Sequence, residues 1–289
     1  MNILALADEI ELAYARRQPI AEPPSARAEG LTLDQAYAVE RELARRRHAA
    51  GHATVGRKVG FANKALWRVM GLSTVAWASM YDDTVHHAAT NETSLSIGRM
   101  FSPKIEPEIV IKMGTGLEGV SQTRPRTERA AGALHEAPPS ACVALENVEW
   151  IALGFEVIDC PFPDWKFHPV DFVAAYGFHA ALIVGAPLRI EAEMIPSLDE
   201  ALSRFKVRLL RNGELTEEGA GKNVLRSPAL CLAELASAVA GQAGATPLAA
   251  GEIISTGTLT TSRFIAPAET WTAEVEGLDL PPLSVRVTS

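Results

Sequence analysis

Two glutamates, Glu106 and Glu108, stand two residues apart in Lys104-Ile105-Glu106-Pro107-Glu108-Ile109-Val110-Ile111, a run rich in β-branched residues. Side chains alternate across a strand, so both acids leave one face about 6 to 7 Å apart at the backbone and can lean onto one ion. That pattern suggests a hard divalent cation held through oxygen. A strand with a solvated acidic face accounts for the pair equally well. Ile105, Ile109 and Ile111 take the opposite, buried face, and Pro107 shares it while removing a ladder donor, which predicts an edge strand or a bulge. A third carboxylate, Glu156, sits between Phe155 and Val157 in another apolar strand run, Leu153 to Asp159. An acid so placed needs a partner. Joined to the pair it completes a three-carboxylate, oxygen-only set of the kind Mg²⁺ or Mn²⁺ takes, with positions left for substrate and water.

Several elements are available to position these acids. Ile3, Ala7, Ile10 and Tyr14 share one helical face within residues 2 to 17, before a break at Pro19, Pro23 and Pro24. Thr32 followed by Gln35 has the form of a capping box, opening a helix in which Ala36, Val39 and Leu43 recur to about His48. From Thr54 onward short apolar runs punctuated by Gly and Pro predict strands at 55–61, 105–113, 152–158, 180–184, 206–210, 252–256 and 283–287, forming one sizeable mixed sheet or barrel. Ser227-Pro228 opens a further helix through Leu230, Leu232 and Leu235, ended by Gly241 and Gly244. Residues 114 to 140, rich in Gly, Thr, Arg and Pro, read as a long surface loop, either a lid or an insertion.

Composition narrows the classes of function. A chain of 289 residues, 47% hydrophobic and 21% charged, can bury a large core. Its net charge of −8, with no basic stripe beyond Arg45-Arg46-Arg47, argues against nucleic acid as a partner. The three cysteines, Cys142, Cys160 and Cys231, lack C-x-x-C spacing, so reduced thiols and a cytoplasmic location are expected. Asp8, Glu9 and Glu11 are out of place in a signal peptide, and no run was expected to be long enough to cross a bilayer.

In order along the chain, Gly56-Arg57-Lys58-Val59-Gly60-Phe61, Glu106-Pro107-Glu108, Phe155-Glu156-Val157-Ile158-Asp159, Asp164-Trp165-Lys166 and Gly251-Glu252-Ile253-Ile254-Ser255-Thr256-Gly257 resemble motifs of the fumarylacetoacetate hydrolase superfamily. Within it they are similar to the 2-keto-4-pentenoate hydratase and 4-oxalocrotonate decarboxylase branch, from about residue 30 to the C-terminus. The resemblance implies an α+β fold, a mixed β-roll or barrel core preceded by a helical segment. We expect a division into a helical segment with the first strand at 1–80 and a catalytic domain at 81–289. It also implies Mg²⁺ (or Mn²⁺) on Glu106, Glu108 and Glu156, with a 2-oxo or 2-hydroxydienoic acid as substrate. The expected assembly is a homo-oligomer, or an association with a paralogous subunit.

The same resemblance assigns further roles, each with a plainer competitor. Lys58 would contact the substrate carboxylate or enolate oxygen; otherwise it is an exposed strand lysine. Asp83, in Met80-Tyr81-Asp82-Asp83-Thr84, would be the proton shuttle, although paired aspartates also build turns. Lys166 would pair with a ligand carboxylate or else be a loop lysine. Gly257 and Thr258 would offer an amide and a hydroxyl to the substrate carboxylate, or simply form a tight turn. His179, in Tyr176-Gly177-Phe178-His179, departs from the small polar residues of the hydratases, and either relays protons or packs as a hydrogen-bonded core histidine. His86, His87 and His168 lack partners at ligand spacing. The implied activity is hydration of a 2-hydroxy-2,4-dienoate to a 4-hydroxy-2-oxo acid. Alternatives are a 4-oxalocrotonate-type decarboxylase, an acylpyruvate C–C hydrolase, or an inactive partner subunit. A decarboxylase needs a cation for the distal carboxylate, for which Arg57, Arg68 or an arginine of the 114–140 loop is available.

Overall fold

The computed structural model describes residues 1–117 and 138–289, so most of the expected 114–140 loop lies outside the described residues. Two helices come first, α1 (Ile3–Arg16) and α2 (Leu33–Ala49). The capping box at the start of α2 forms as expected: the Thr32 hydroxyl accepts from the Gln35 amide, and the Gln35 side chain accepts from the Thr32 amide. The chain continues through β1 (Thr54–Gly60), α3 (Lys64–Met70), β2 (Ala76–Tyr81), β3 (Val85–His87), β4 (Glu92–Ser96) and β5 (Lys104–Met113). After the undescribed stretch come α4 (Ala141–Leu145), β6 (Val148–Ile158), α5 (Pro169–Ala174), β7 (His179–Val184), β8 (Leu188–Arg189), α6 (Ile195–Arg204), β9 (Lys206–Arg211) and β10 (Glu214–Ala220). The last elements are α7 (Pro228–Gly241), β11 (Ile253–Ser255), β12 (Arg263–Phe264), β13 (Thr270–Glu276) and β14 (Leu283–Thr288).

The strands form two mixed sheets rather than the single one expected. One, of nine strands, runs β2-β1-β11-β5-β6-β7-β3, with β12 also on β5 and β8 also on β6; the other runs β10-β9-β13-β14-β4. In the first sheet the two ends of the order, β2 and β3, are consecutive in the chain and joined by a tight turn in which the Thr84 amide donates to the Tyr81 carbonyl. The sheet must therefore curl until its ends meet, which gives the barrel-like core and an enclosed inner face. The expected boundary at residue 80 falls inside β2, and β1 pairs with β11 from the far end of the chain.

Pro107 is in the middle of this sheet, not at its edge. β5 pairs with β6 along its whole length, whereas on its other side β11 covers only 110–112 and β12 only 104–105. The Pro107 carbonyl accepts from the Leu259 amide in the loop between them. The nitrogen of a strand residue points to the same side as its carbonyl, so the missing donor faces that gap and costs no ladder bond.

One helical stretch, 221–241, is long and apolar enough to cross a membrane on length and composition, contrary to the sequence expectation. Its regular part, α7, is only 14 residues, or about 21 Å, too short for a bilayer core of about 30 Å. Leu225 and Arg226 break the run with positive φ, and Cys231, Leu232, Leu235 and Val239 are buried in the protein core. It is a core helix.

Candidate active site

The pairing register decides which acids meet. Glu106 on β5 is directly opposite Glu156 on β6, and Glu108 is opposite Gly154. Directly opposed residues share a face of the sheet. Glycine is needed at 154, opposite Glu108, because a Cβ there would come within 2.4 Å of Val110 Cγ2 on the same face. Glu106, Glu108 and Glu156 bring one oxygen each to within 4.8 Å of one another. Glu108 and Glu156 are fully buried, while Glu106 opens onto a cavity of about 630 Å³.

Each acid is held differently. Glu108 Oε2 accepts from the Gly257 amide at 2.8 Å and from the Ser255 hydroxyl, while its Oε1 has no partner among the described residues. Burial, reinforced by the charges of Glu156 and Glu106, pushes Glu108 well above the ordinary carboxylate range. Burial also raises Glu106, to about 7, against the pull of Lys58. Glu156 goes the other way. Burial acts to raise it, but the Lys58 ammonium and the hydrogen bond and charge of His179 outweigh this and hold it below its usual value. Lys58 Nζ is 3.0 Å from Glu156 Oε2, a fully buried ion pair. Three carboxylates this close, one with an orphaned buried oxygen at Glu108 Oε1, form an oxygen-only donor set that fits a hard divalent cation.

Lys58 is buried on β1, with Phe172 under its ammonium at 5.0 Å. Gly177 presses on its stem, since a Cβ at 177 would come within 3.1 Å of Lys58 Cδ. This contact comes from an unusual turn: Tyr176, Gly177 and Phe178 all have φ between 55° and 59°. For the two non-glycine residues the left-handed conformation costs roughly 1–2 kcal/mol each. The turn aims Phe178 at the cavity and delivers His179 to the start of β7.

His179 Nδ1 donates to Glu156 Oε1 at 3.0 Å, and Nε2 is 2.9 Å from Thr84 Oγ1. The Thr84 hydroxyl is also 2.9 Å from the Tyr81 carbonyl, so the far edge of the His179 ring rests on a group that β2's own turn holds in place. His179 thus orients Glu156 from behind and does not line the cavity.

Three other expected roles change. Asp83 is exposed on the turn after β2, ion-paired with Arg47 and 3.6 Å from His52, and it does not line the cavity. Lys166 is 80% exposed and pairs with Asp164 at 3.2 Å, away from the three glutamates. The left-handed geometry before it, at Asp164 and Trp165, turns Trp165 toward the cavity and Lys166 outward. Gly257 and Thr258 do line the cavity, but the Gly257 amide is committed to Glu108 and the Thr258 hydroxyl to the Thr260 carbonyl. Glycine is required at 257, where φ is +103° and a Cβ would meet Ala62 at 2.8 Å. Arg57 is buried over Trp77 beside Glu252, and Arg68 is exposed on α3.

Sequence reasoning overlooked Ser255, Thr84, the aromatic wall of Trp165, Phe167, Phe172 and Phe178, and Lys104. Strand alternation already carried a signal for Lys104, two residues before Glu106 on the same face. No local signal marks Thr84 or the aromatic wall.

Residues 102–288 match the model of the fumarylacetoacetate (FAA) hydrolase C-terminal family, more than half of the chain, and the chain belongs to that family. It is 28% identical over 279 residues to a 4-oxalocrotonate decarboxylase of Pseudomonas sp. (strain CF600), covering 96% of this chain and 94% of that protein. It is 25% identical over 248 residues to a 2-hydroxyhexa-2,4-dienoate hydratase of Comamonas testosteroni, covering 86% and 84%. Among solved structures, the 4-oxalocrotonate decarboxylase from Pseudomonas putida G7, complexed with magnesium and adipate, matches with a TM-score of 0.81 at 26% identity, over 99% of this chain and 97% of that one. The fold is accordingly the mixed α/β architecture of this superfamily, and these relatives are enzymes.

Proposed function

We propose that the chain is a Mg²⁺-dependent lyase that carries an unsaturated 2-oxo acid through its dienolate at Glu106, Glu108 and Glu156. The observation that carries this reading is the convergence of the three carboxylates beside the cavity, with one buried oxygen, Glu108 Oε1, that no described protein group satisfies. The magnesium complex of the Pseudomonas putida G7 decarboxylase supports the choice of ion. A divalent cation would supply Lewis acidity at the 2-oxo group. Lys58 adds fixed positive charge beside the enolate oxygen, a role its burial strengthens. His179 and Thr84 keep Glu156 oriented, and the aromatic wall keeps water from the conjugated chain.

Two outcomes share the dienolate. In hydration a proton is moved and water adds at C4, which calls for an acid–base side chain at the cavity. In decarboxylation the bond to a vinylogous carboxylate breaks, CO₂ leaves, and the electron pair stays in the dienolate, which then takes up a proton. Asp83, the expected shuttle, is engaged by Arg47 outside the cavity, and that favours decarboxylation over the hydratase activity implied by resemblance. We therefore put decarboxylation of a 2-oxo diacid first and hydration second. The test is to incubate the purified protein and Mg²⁺ with 4-oxalocrotonate and with 2-hydroxypenta-2,4-dienoate, following CO₂ and dienol ultraviolet absorbance. CO₂ release from the diacid is expected; water addition alone would reverse the order, and no Mg²⁺-dependent turnover of either would overturn the reading. The reading extends to a cytoplasmic homo-oligomer, which light scattering on the purified protein checks for assembly.

A further inference from the structure

We infer that Lys104 is the receptor for a second carboxylate at the far end of the substrate, and is therefore the residue that makes this cavity select diacids. The inference rests on the proposed anchoring of a 2-oxo acid at Glu106, Glu108 and Glu156. Among the described residues two cationic side chains line the cavity, Lys58 and Lys104. Lys58 is committed to Glu156. Lys104 has neither a carboxylate at ion-pair distance nor a hydrogen-bond acceptor among the described residues. Its ammonium lies 4.0 Å from the Trp165 ring centroid and 4.6 Å from that of Phe264. Two aromatic faces hold a cation in place electrostatically while leaving its N–H donors for an anion.

The position follows from strand geometry. Lys104, Glu106 and Glu108 alternate onto one face of β5, about 6 to 7 Å apart per step. The strand thus runs from the buried carboxylate set to a half-buried, caged cation. A six-carbon diacid has its carboxyl carbons five bonds apart, roughly 6 Å when extended, which matches one such step. The other charges at the cavity do not compete for an anion: Glu217 is paired with Arg263, and Glu218 is itself acidic. Arg57, considered for this task from sequence, is buried beside Glu252 and does not line the cavity.

The test compares Mg²⁺-dependent binding of 2-oxohexanoate and 2-oxohexanedioate by calorimetry to the wild type, Lys104→Gln and Lys104→Arg. The two acids differ only in the distal carboxylate. The wild type is expected to prefer the diacid on the order of tenfold, the size of one charge-assisted hydrogen bond. Lys104→Gln should reduce that ratio below about threefold, and Lys104→Arg should retain most of it. Equal affinities in the wild type, or an undiminished ratio in Lys104→Gln, would overturn the inference alone. Failure of both acids to bind the wild type with Mg²⁺ would instead remove the anchoring site on which it depends.

Discussion

Among the described residues two groups of ligand-bearing side chains meet within 4.8 Å, Glu106 with Glu108 and Glu156, and His52 with Asp82 and Asp83. Each offers three possible ligand atoms, yet their surroundings oppose each other. The first lies on the enclosed face of the curled sheet, where burial raises two of its acids and leaves Glu108 Oε1 without a partner among the described residues. The second is on a surface turn, where Arg47 already neutralises Asp83 and water solvates the rest. An acidic cluster becomes a site for a cation when its charge is both concentrated and unanswered.

The sharpest way to break this contrast is to remove one acid from each cluster. Glu108→Gln is expected to lower Mg²⁺ affinity and turnover by more than about a hundredfold, beyond what loss of an outer partner costs. Asp83→Asn should leave both within about threefold, because its ion pair is exposed. Calorimetric Mg²⁺ titration and the CO₂ assay measure both; full activity in Glu108→Gln would remove the metal assignment. His179→Gln should cost about ten- to hundredfold in Mg²⁺ affinity, since Glu156 loses its orienting donor. His52→Gln is the matched control in the surface cluster, with no change expected in the same titration.

The raised acids also predict a pH dependence. In the unfolded chain Glu titrates near 4.3, whereas in the metal-free fold burial raises Glu106 to about 7 and pushes Glu108 well above the ordinary carboxylate range. Between these values the native state binds more protons than the unfolded one, so the contribution of these two groups to stability falls as pH rises from about 4.5 to 7. Glu156, held low, contributes in the opposite sense at the acid end. Thermal unfolding without metal should show a net loss across that window, and Mg²⁺ should reverse it while releasing protons, measurable as buffer-dependent binding heat. A Tm that is flat or rising over this range would contradict the burial argument. The smallest effect is expected at Lys166: replacement by Ala should change stability by no more than about 0.5 kcal/mol and leave turnover within about twofold, as checked by melting and by the CO₂ assay.

Elements with a repeat or a cap were legible. The Thr32–Gln35 box and the Ser227-Pro228 start each open a helix where expected, and all seven predicted strand runs are strands. β2 was missed because every residue from Ala76 to Tyr81 is buried, so it shows no alternation. α5 and α6 are short, and their apolar residues merge with flanking turns. At the site, that Glu106 and Glu108 share a face was readable from the two-residue repeat. That Asp83 turns outward was not, because the Asp82-Asp83 turn and the Arg47 partner on α2 are brought together only by folding.

By itself the amino-acid sequence determined which acids share a strand face, where the helices begin, and which family the motifs resemble. These depend on periodicity and short-range hydrogen bonding, which act over a few residues. Only the tertiary structure decided that Glu156 stands across from Glu106, that Ser255 and Gly257 hold Glu108, that His179 supports Glu156 from behind, and that the Lys104 ammonium stands between two rings. These outcomes turn on strand register and sheet closure between segments far apart in the chain. A shift of one residue would send every one of those side chains to the opposite face.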